Sequence, residues 1–187
     1  MAAVYSKVMY FRRVKFMIYI KVVFSLVLLL SFNLTANANS DEFHLGIVKI
    51  VEENTKVAIE QNLNFVKGKL DLSRESLKDI EFVLDDASFF VEDLSEEQKV
   101  NLVDIYASYI LNVAYKEYGG RFTILKLNDE SVPVLIVGEP EYSIAILAHD
   151  KVEGRMNGDK ADNIPFFYQG LVEHVRDAKK GEKLIVK

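Results

Sequence analysis

The chain has 187 residues, with 28 acidic and 23 basic side chains, a formal charge of −5 and no cysteine. The missing thiol excludes disulfides, zinc-thiolate and iron-sulfur centres and thiol catalysis. The acidic balance, with no basic stripe to offset it, opposes sequence-independent nucleic-acid binding, which needs cationic side chains to replace phosphate counterions.

The first 38 residues carry Lys7, Arg12, Arg13, Lys15 and Lys21 and no acid. An apolar run from Val22 to Leu30 follows, and Ala36-Asn37-Ala38 then sets small residues at signal-peptidase spacing. The run is shorter than the roughly 18 to 20 residues that span a bilayer. It predicts an export signal over residues 1–38, cleaved after Ala38, a periplasmic or secreted product, and no stable membrane span after cleavage. Met17 is an alternative initiator, because Met17 to Lys21 makes a conventional start by itself. No cysteine follows the apolar run, so lipid modification there is excluded. Cleavage removes 5 of the 23 basic residues and none of the 28 acidic ones, leaving 18 against 28, a formal charge of −10. Residues 39–187 are the size of one domain with one core.

From Phe43 to Gln61, Ile47, Ile50, Val51, Val57 and Ala58 predict a helix face, although His44 to Val51 is β-branched enough to leave a strand open. Gly68 predicts a turn. Ser73 is a good N-cap for a helix whose apolar positions are Leu77, Ile80, Leu84, Ala87 and Val91, with Asp85, Asp86, Glu92 and Asp93 outward. Ser95-Glu96-Glu97-Gln98 spells a capping box. The helix it opens buries Leu102, Val103, Tyr106, Tyr109, Ile110 and Val113 and wets Asp104, Ser108 and Asn112. Leu111, Ala107 and Tyr118 widen the apolar side, which predicts cover by more than one neighbour.

Gly119-Gly120 closes that helix, since glycine takes the left-handed conformation without a Cβ penalty. Arg121 to Leu127 and Val132 to Val137 are β-rich, and Asn128-Asp129-Glu130-Ser131 predicts the turn of an antiparallel hairpin. Pro133, without an amide donor, should begin its strand or lie at a sheet edge. Gly138-Glu139-Pro140-Glu141 predicts another turn, and Tyr142 to Ala148 reads as a third strand or a helix start. Asn157-Gly158 is a turn signal. Asp162 or Asn163 caps a last helix, with Pro165 in its first turn, a buried stripe of Phe167, Leu171, Val175 and Ala178, and an end at Gly181. Leu184 to Val186 could add an edge strand. The fold class is therefore α+β, three or four helices packed on a small antiparallel sheet.

The order Ser73 and Ser76, Gly119-Gly120-Arg121-Phe122, Arg155-Met156-Asn157-Gly158, Asp162-Asn163-Ile164 and Phe167-Tyr168 resembles a family of uncharacterised bacterial domains of unknown function. The resemblance covers about Ser73 to Leu171. It implies a fold class and no activity. Leu111-Asn112 stands where that family often has Gly-Glu, and Phe122 where it has Trp, so any role of that glutamate is missing here.

Three histidines, His44, His149 and His174, leave little material for a metal centre or general base. His149 with Asp150 and Glu153 would place an imidazole and carboxylates on neighbouring turns, but zinc sites use three or four protein ligands. Asp159, Asp162 and Asn163 lack the alternating register of a calcium loop. No serine lies in a nucleophile elbow or a Ser-x-x-Lys motif. No catalytic residue, metal or cofactor is assigned. The candidate binding residues are Arg121, Arg155, Asn157 and Asp162: a guanidinium can grip a carboxylate in a bidentate fork, or else Arg121 or Arg155 pairs internally with Asp162. The reading is a non-enzymatic exported module that binds a protein or envelope component. The alternative is a small hydrolase or ligand-binding protein with a polar pocket formed by those residues.

Overall fold

The computed structural model describes residues 41–66, 69–127 and 130–187. The predicted export signal, the Gly68 turn and Asn128-Asp129 lie outside them. The elements in order are α1 (residues 41–62), α2 (Leu77–Ala87), a 3-10 turn (Val91–Asp93), α3 (Glu96–Tyr118), β1 (Arg121–Leu127), β2 (Glu130–Val137), β3 (Ser143–Ile146), α4 (His149–Met156), a 3-10 turn (Lys160–Asp162), α5 (Ile164–Asp177) and β4 (Lys183–Val186). Residues 44–187 form one unit around one core. The class is α+β, with five helices among the described residues rather than three or four. None of them is long and apolar enough to cross a membrane.

α3 is the central element. Ser95 accepts from the Gln98 amide at 3.3 Å while the Gln98 side chain accepts from the Ser95 amide at 2.9 Å, so the capping box is formed. Every residue from Tyr106 to Leu111 is buried. A helix with one solvent face cannot bury six consecutive residues. The excess cover comes from α1, and it corrects the expected wet stripe: Asn54 Nδ2 donates to Ser108 Oγ at 3.1 Å and Asn112 Nδ2 to Thr55 Oγ1 at 3.2 Å. Polar residues on α3 and α1 satisfy each other across a covered seam. On α1 the buried line is Ile47, Val51, Thr55, Ala58 and Asn62, whereas Ile50 is 53 % exposed, one step round the helix from that line.

Two starts are also adjusted. Ser73 caps a tight lead-in turn, accepting from the Ser76 amide at 3.3 Å, and the α-helix proper begins at Leu77. Asn163, not Asp162, caps α5, accepting from the Phe166 amide at 3.0 Å. α5 ends at Asp177, before Gly181.

Gly119 closes α3 with φ +66 and an amide that donates to the Tyr115 carbonyl at 2.8 Å. Gly120 follows at φ +108, and a Cβ there would lie 2.3 Å from the Ile136 carbonyl oxygen. The chain can therefore turn from α3 straight into β1 beside β2 only with glycine at this point. Sheet order is β1-β2-β3-β4. The row Phe122, Leu135, Ile146 and Val186 crosses all four strands, and every member is buried. The sheet is mixed, not antiparallel throughout, because β4 runs parallel to β3. The helices α4 and α5 lie between those strands and supply the long crossover that a parallel neighbour requires. Pro133 sits inside β2 rather than at its start, opposite Ile124, on a stretch where β3 has not yet joined. β1 is an edge strand, and its Phe122 amide donates to His44 Nδ1 at 2.9 Å, which blunts the edge from α1.

Candidate functional site

The four candidate binding residues do not assemble into one pocket. Arg121, half exposed, forks onto Glu139 at 3.1 Å in the turn after β2. Arg155, on α4, is buried; its Nε donates to Glu81 Oε1 at 2.6 Å and its Nη2 to Asp85, both on α2. Burial works against that charge, the two carboxylates outweigh it, and the guanidinium pKa is raised. Glu81 also accepts from the Ile164 amide at 2.9 Å, so one carboxylate ties α2, α4 and the start of α5 together. Asp162 meets neither arginine. It takes Lys151 Nζ at 2.5 Å and occupies the space above Gly154, where a Cβ would lie 1.9 Å from its Oδ2. The arginines are thus internally paired, with Glu139, Glu81 and Asp85 as partners in place of Asp162. Asp85, expected to point outward, serves the buried guanidinium.

Asn157 belongs to a different feature, a cleft of about 710 Å³ between α3 and α4, bordered by β2 and the residue after β4. His149, the first residue of α4, forms part of its wall and is only 5 % exposed. Its Nε2 lies 3.2 Å from Asp104 Oδ1 on α3. When Nε2 donates to that carboxylate, Nδ1 is the ring nitrogen left over. Nδ1 is buried and, among the described residues, is the one buried side-chain nitrogen or oxygen without a hydrogen-bond partner. Such groups are uncommon in folded proteins and mark places where something else completes the bonding.

Glu96, Asp150 and Glu153 stand around the same opening with Lys99 and Lys187. Lys99 bonds Glu96 at 2.7 Å. Among the described residues Asp150 and Glu153 make no ion pair. Val100 at the rim is 55 % exposed, and Val132 and Met156 add apolar wall. The expected grouping of His149 with Asp150 and Glu153 is therefore half right: they share the cleft, but the partner of the imidazole is Asp104. No group of three metal-binding side chains comes together among the described residues. His174 is exposed on α5.

A second polar cluster is structural. Glu117, near the end of α3, accepts from Arg74 Nε at 2.7 Å and from the Tyr168 hydroxyl at 2.9 Å, and Arg74 Nη2 reaches the Tyr118 hydroxyl at 3.2 Å. The hydrogen bond from Arg74 holds the Glu117 carboxyl below its ordinary value, with Tyr118 and Tyr168 adding to it against burial. Burial, then the adjacent Glu117 carboxylate, pushes Tyr118 up to about 12 and raises Tyr168 as well. This cluster pins α5 and the α2 lead-in to α3.

Compared with protein-family models, curated proteins and solved structures, the chain has no significant match. Asp104 was hidden because it falls on the outward stripe of α3, 45 residues from His149.

Proposed function

We propose that this is an exported, non-enzymatic binding protein whose ligand or partner enters the cleft over His149. The observation that carries the reading is the His149 imidazole, paired through Nε2 with Asp104 and left with a buried, unpartnered Nδ1, in the wall of an open cleft. A cleft of this size suits a small molecule or a side chain with its flanking backbone. Export is supported by the basic, apolar and Ala36-Asn37-Ala38 segments in succession. Binding is favoured over hydrolysis because no hydroxyl is hydrogen-bonded to His149 among the described residues: its Nδ1 has no partner, although Ser131 lines the same cleft. The resemblance to the domain-of-unknown-function family rests on its motif residues and adds no activity.

The test is photocrosslinking in cells from a reactive residue at Val100, on the rim, and at Phe89, away from the cleft lining. The reading expects one discrete adduct from the rim position, lost on His149→Ala while the variant remains folded by circular dichroism. Adducts from Phe89 alone, or a rim adduct unchanged by His149→Ala, would refute it.

A further inference from the structure

We propose that the cleft recognises an alkyl cation, an amine or guanidinium on an apolar stem, carried by a lysine or arginine side chain of a peptide or by a free amine. This rests on the cleft being the binding site. The first reason is charge. Glu96 and Lys99 neutralise each other, which leaves the Asp104, Asp150 and Glu153 carboxylates against Lys187. An anionic ligand would meet like charge, whereas a cation gains charge-assisted hydrogen bonds.

The second reason is independent of charge count. His149 is more than nine-tenths buried and lines the cleft, and its Nδ1 has no hydrogen-bond partner among the described residues; with Nε2 donating to Asp104, Nδ1 is the nitrogen left to accept. Ammonium and guanidinium groups carry only donors, so they complement that nitrogen where a carboxylate or carbonyl does not. The third reason is shape. Val100 and Val132 present apolar surface beside the acids, which suits a methylene stem with a charged head.

The experiment is calorimetric titration of the full chain with four probes: acetyl-Leu-Lys-Leu-amide, the same tripeptide with Glu, the same with Gln, and cadaverine. The lysyl peptide should bind, and binding should weaken about tenfold between about 0.05 and about 0.5 M salt. Asp150→Asn with Glu153→Gln should weaken it about tenfold or more, one unit of 1.4 kcal/mol. Glu52→Gln, an exposed change on α1, should leave it unaltered. Cadaverine binding as well as the peptide would name a free amine as sufficient, and peptide-only binding would name the side chain in its backbone context; either supports the cation. Equal or tighter binding of the glutamyl or glutaminyl peptide overturns the ligand class while leaving the cleft as the site. Retained affinity in the double variant overturns the proposed recognition by those two acids. If no probe binds, the cation assignment falls, and the Val100 crosslinks decide separately whether the cleft reading falls with it.

Discussion

Replacing Arg155 by Met should be among the most damaging single changes available outside the apolar core. The side chains of Arg155 and Glu81 are 5 % and 18 % exposed, so both charges sit largely out of water, whereas that of Asp85 is 49 % exposed. Methionine keeps much of the arginine stem, so little cavity is created. What is lost is the counter-charge. Removing one partner of a buried ion pair costs about 3 to 5 kcal/mol, because the other charge stays behind uncompensated. Asp85 can turn to solvent and contributes at the surface scale of about 0 to 1 kcal/mol. Glu81 keeps one hydrogen bond, from the Ile164 amide at 2.9 Å, which moderates the loss. The expected loss is about 3 to 4 kcal/mol, or about 10 °C in melting temperature for a domain of this size. Thermal and urea unfolding followed by far-ultraviolet circular dichroism would measure it. Adding Glu81→Gln should restore about half, since the stranded charge is then gone. A single-variant loss below about 1 kcal/mol, or a double variant less stable than the single one, would refute the reasoning.

Glu117→Gln should destabilise by about 1 to 2 kcal/mol at neutral pH through the loss of charge-assisted bonds. The folded pKa of Glu117 is depressed, so its contribution is present above the ordinary value of 4.5 and lost as pH falls through the lower folded value. The gap between wild type and variant should therefore close in acid, and an equal gap at neutral and acidic pH would contradict the assignment. At the other end of the scale, Tyr118 is raised from 10.0 to about 12, so its contribution is present below pH 10 and is lost as pH climbs toward 12; Tyr118→Phe should flatten that alkaline decline in a pH series of melting temperatures. Ser95→Ala removes one half of the α3 capping box and should cost about 1 kcal/mol by urea unfolding. Gly154→Ala should displace Asp162 from Lys151 and cost about 1 kcal/mol, and the same change in an Asp162→Ala background should cost less, since the obstructing carboxylate has been removed.

Features fixed within a few residues were legible in the sequence. Ser95 and Gln98 name the start of α3, Gly119 its end, and the two β-rich runs after it their own hairpin, because capping and turn chemistry act locally. Features that depend on distant partners were not. The parallel pairing of β4 with β3 follows from α4 and α5 forming a crossover, and the alternation in Leu184 to Val186 says nothing of direction. Ser108 and Asn112 read as wet because their burial depends on α1, more than 50 residues earlier, supplying matched polar groups. Internal pairing was one of two readings open for the arginines and its named partner, Asp162, was not the one found; the partners came from α2 and from the turn after β2, and an acidic chain offers too many carboxylates for spacing alone to choose among them. The Asp104–His149 pair joins α3 to α4 across the whole hairpin and β3, so no local signal could mark it.

The most direct test of the cleft reading is the imidazole nitrogen spectrum of His149 in the selectively labelled protein, which has only three histidines to assign. In the free protein the ring should carry its proton on Nε2, toward Asp104, with Nδ1 in the chemical-shift range of an unprotonated acceptor. On addition of acetyl-Leu-Lys-Leu-amide the Nδ1 resonance should move as it gains a donor, while that of His174, exposed on α5, stays put. A free ring protonated on Nδ1, or an Nδ1 resonance that no cleft ligand moves, would contradict the account.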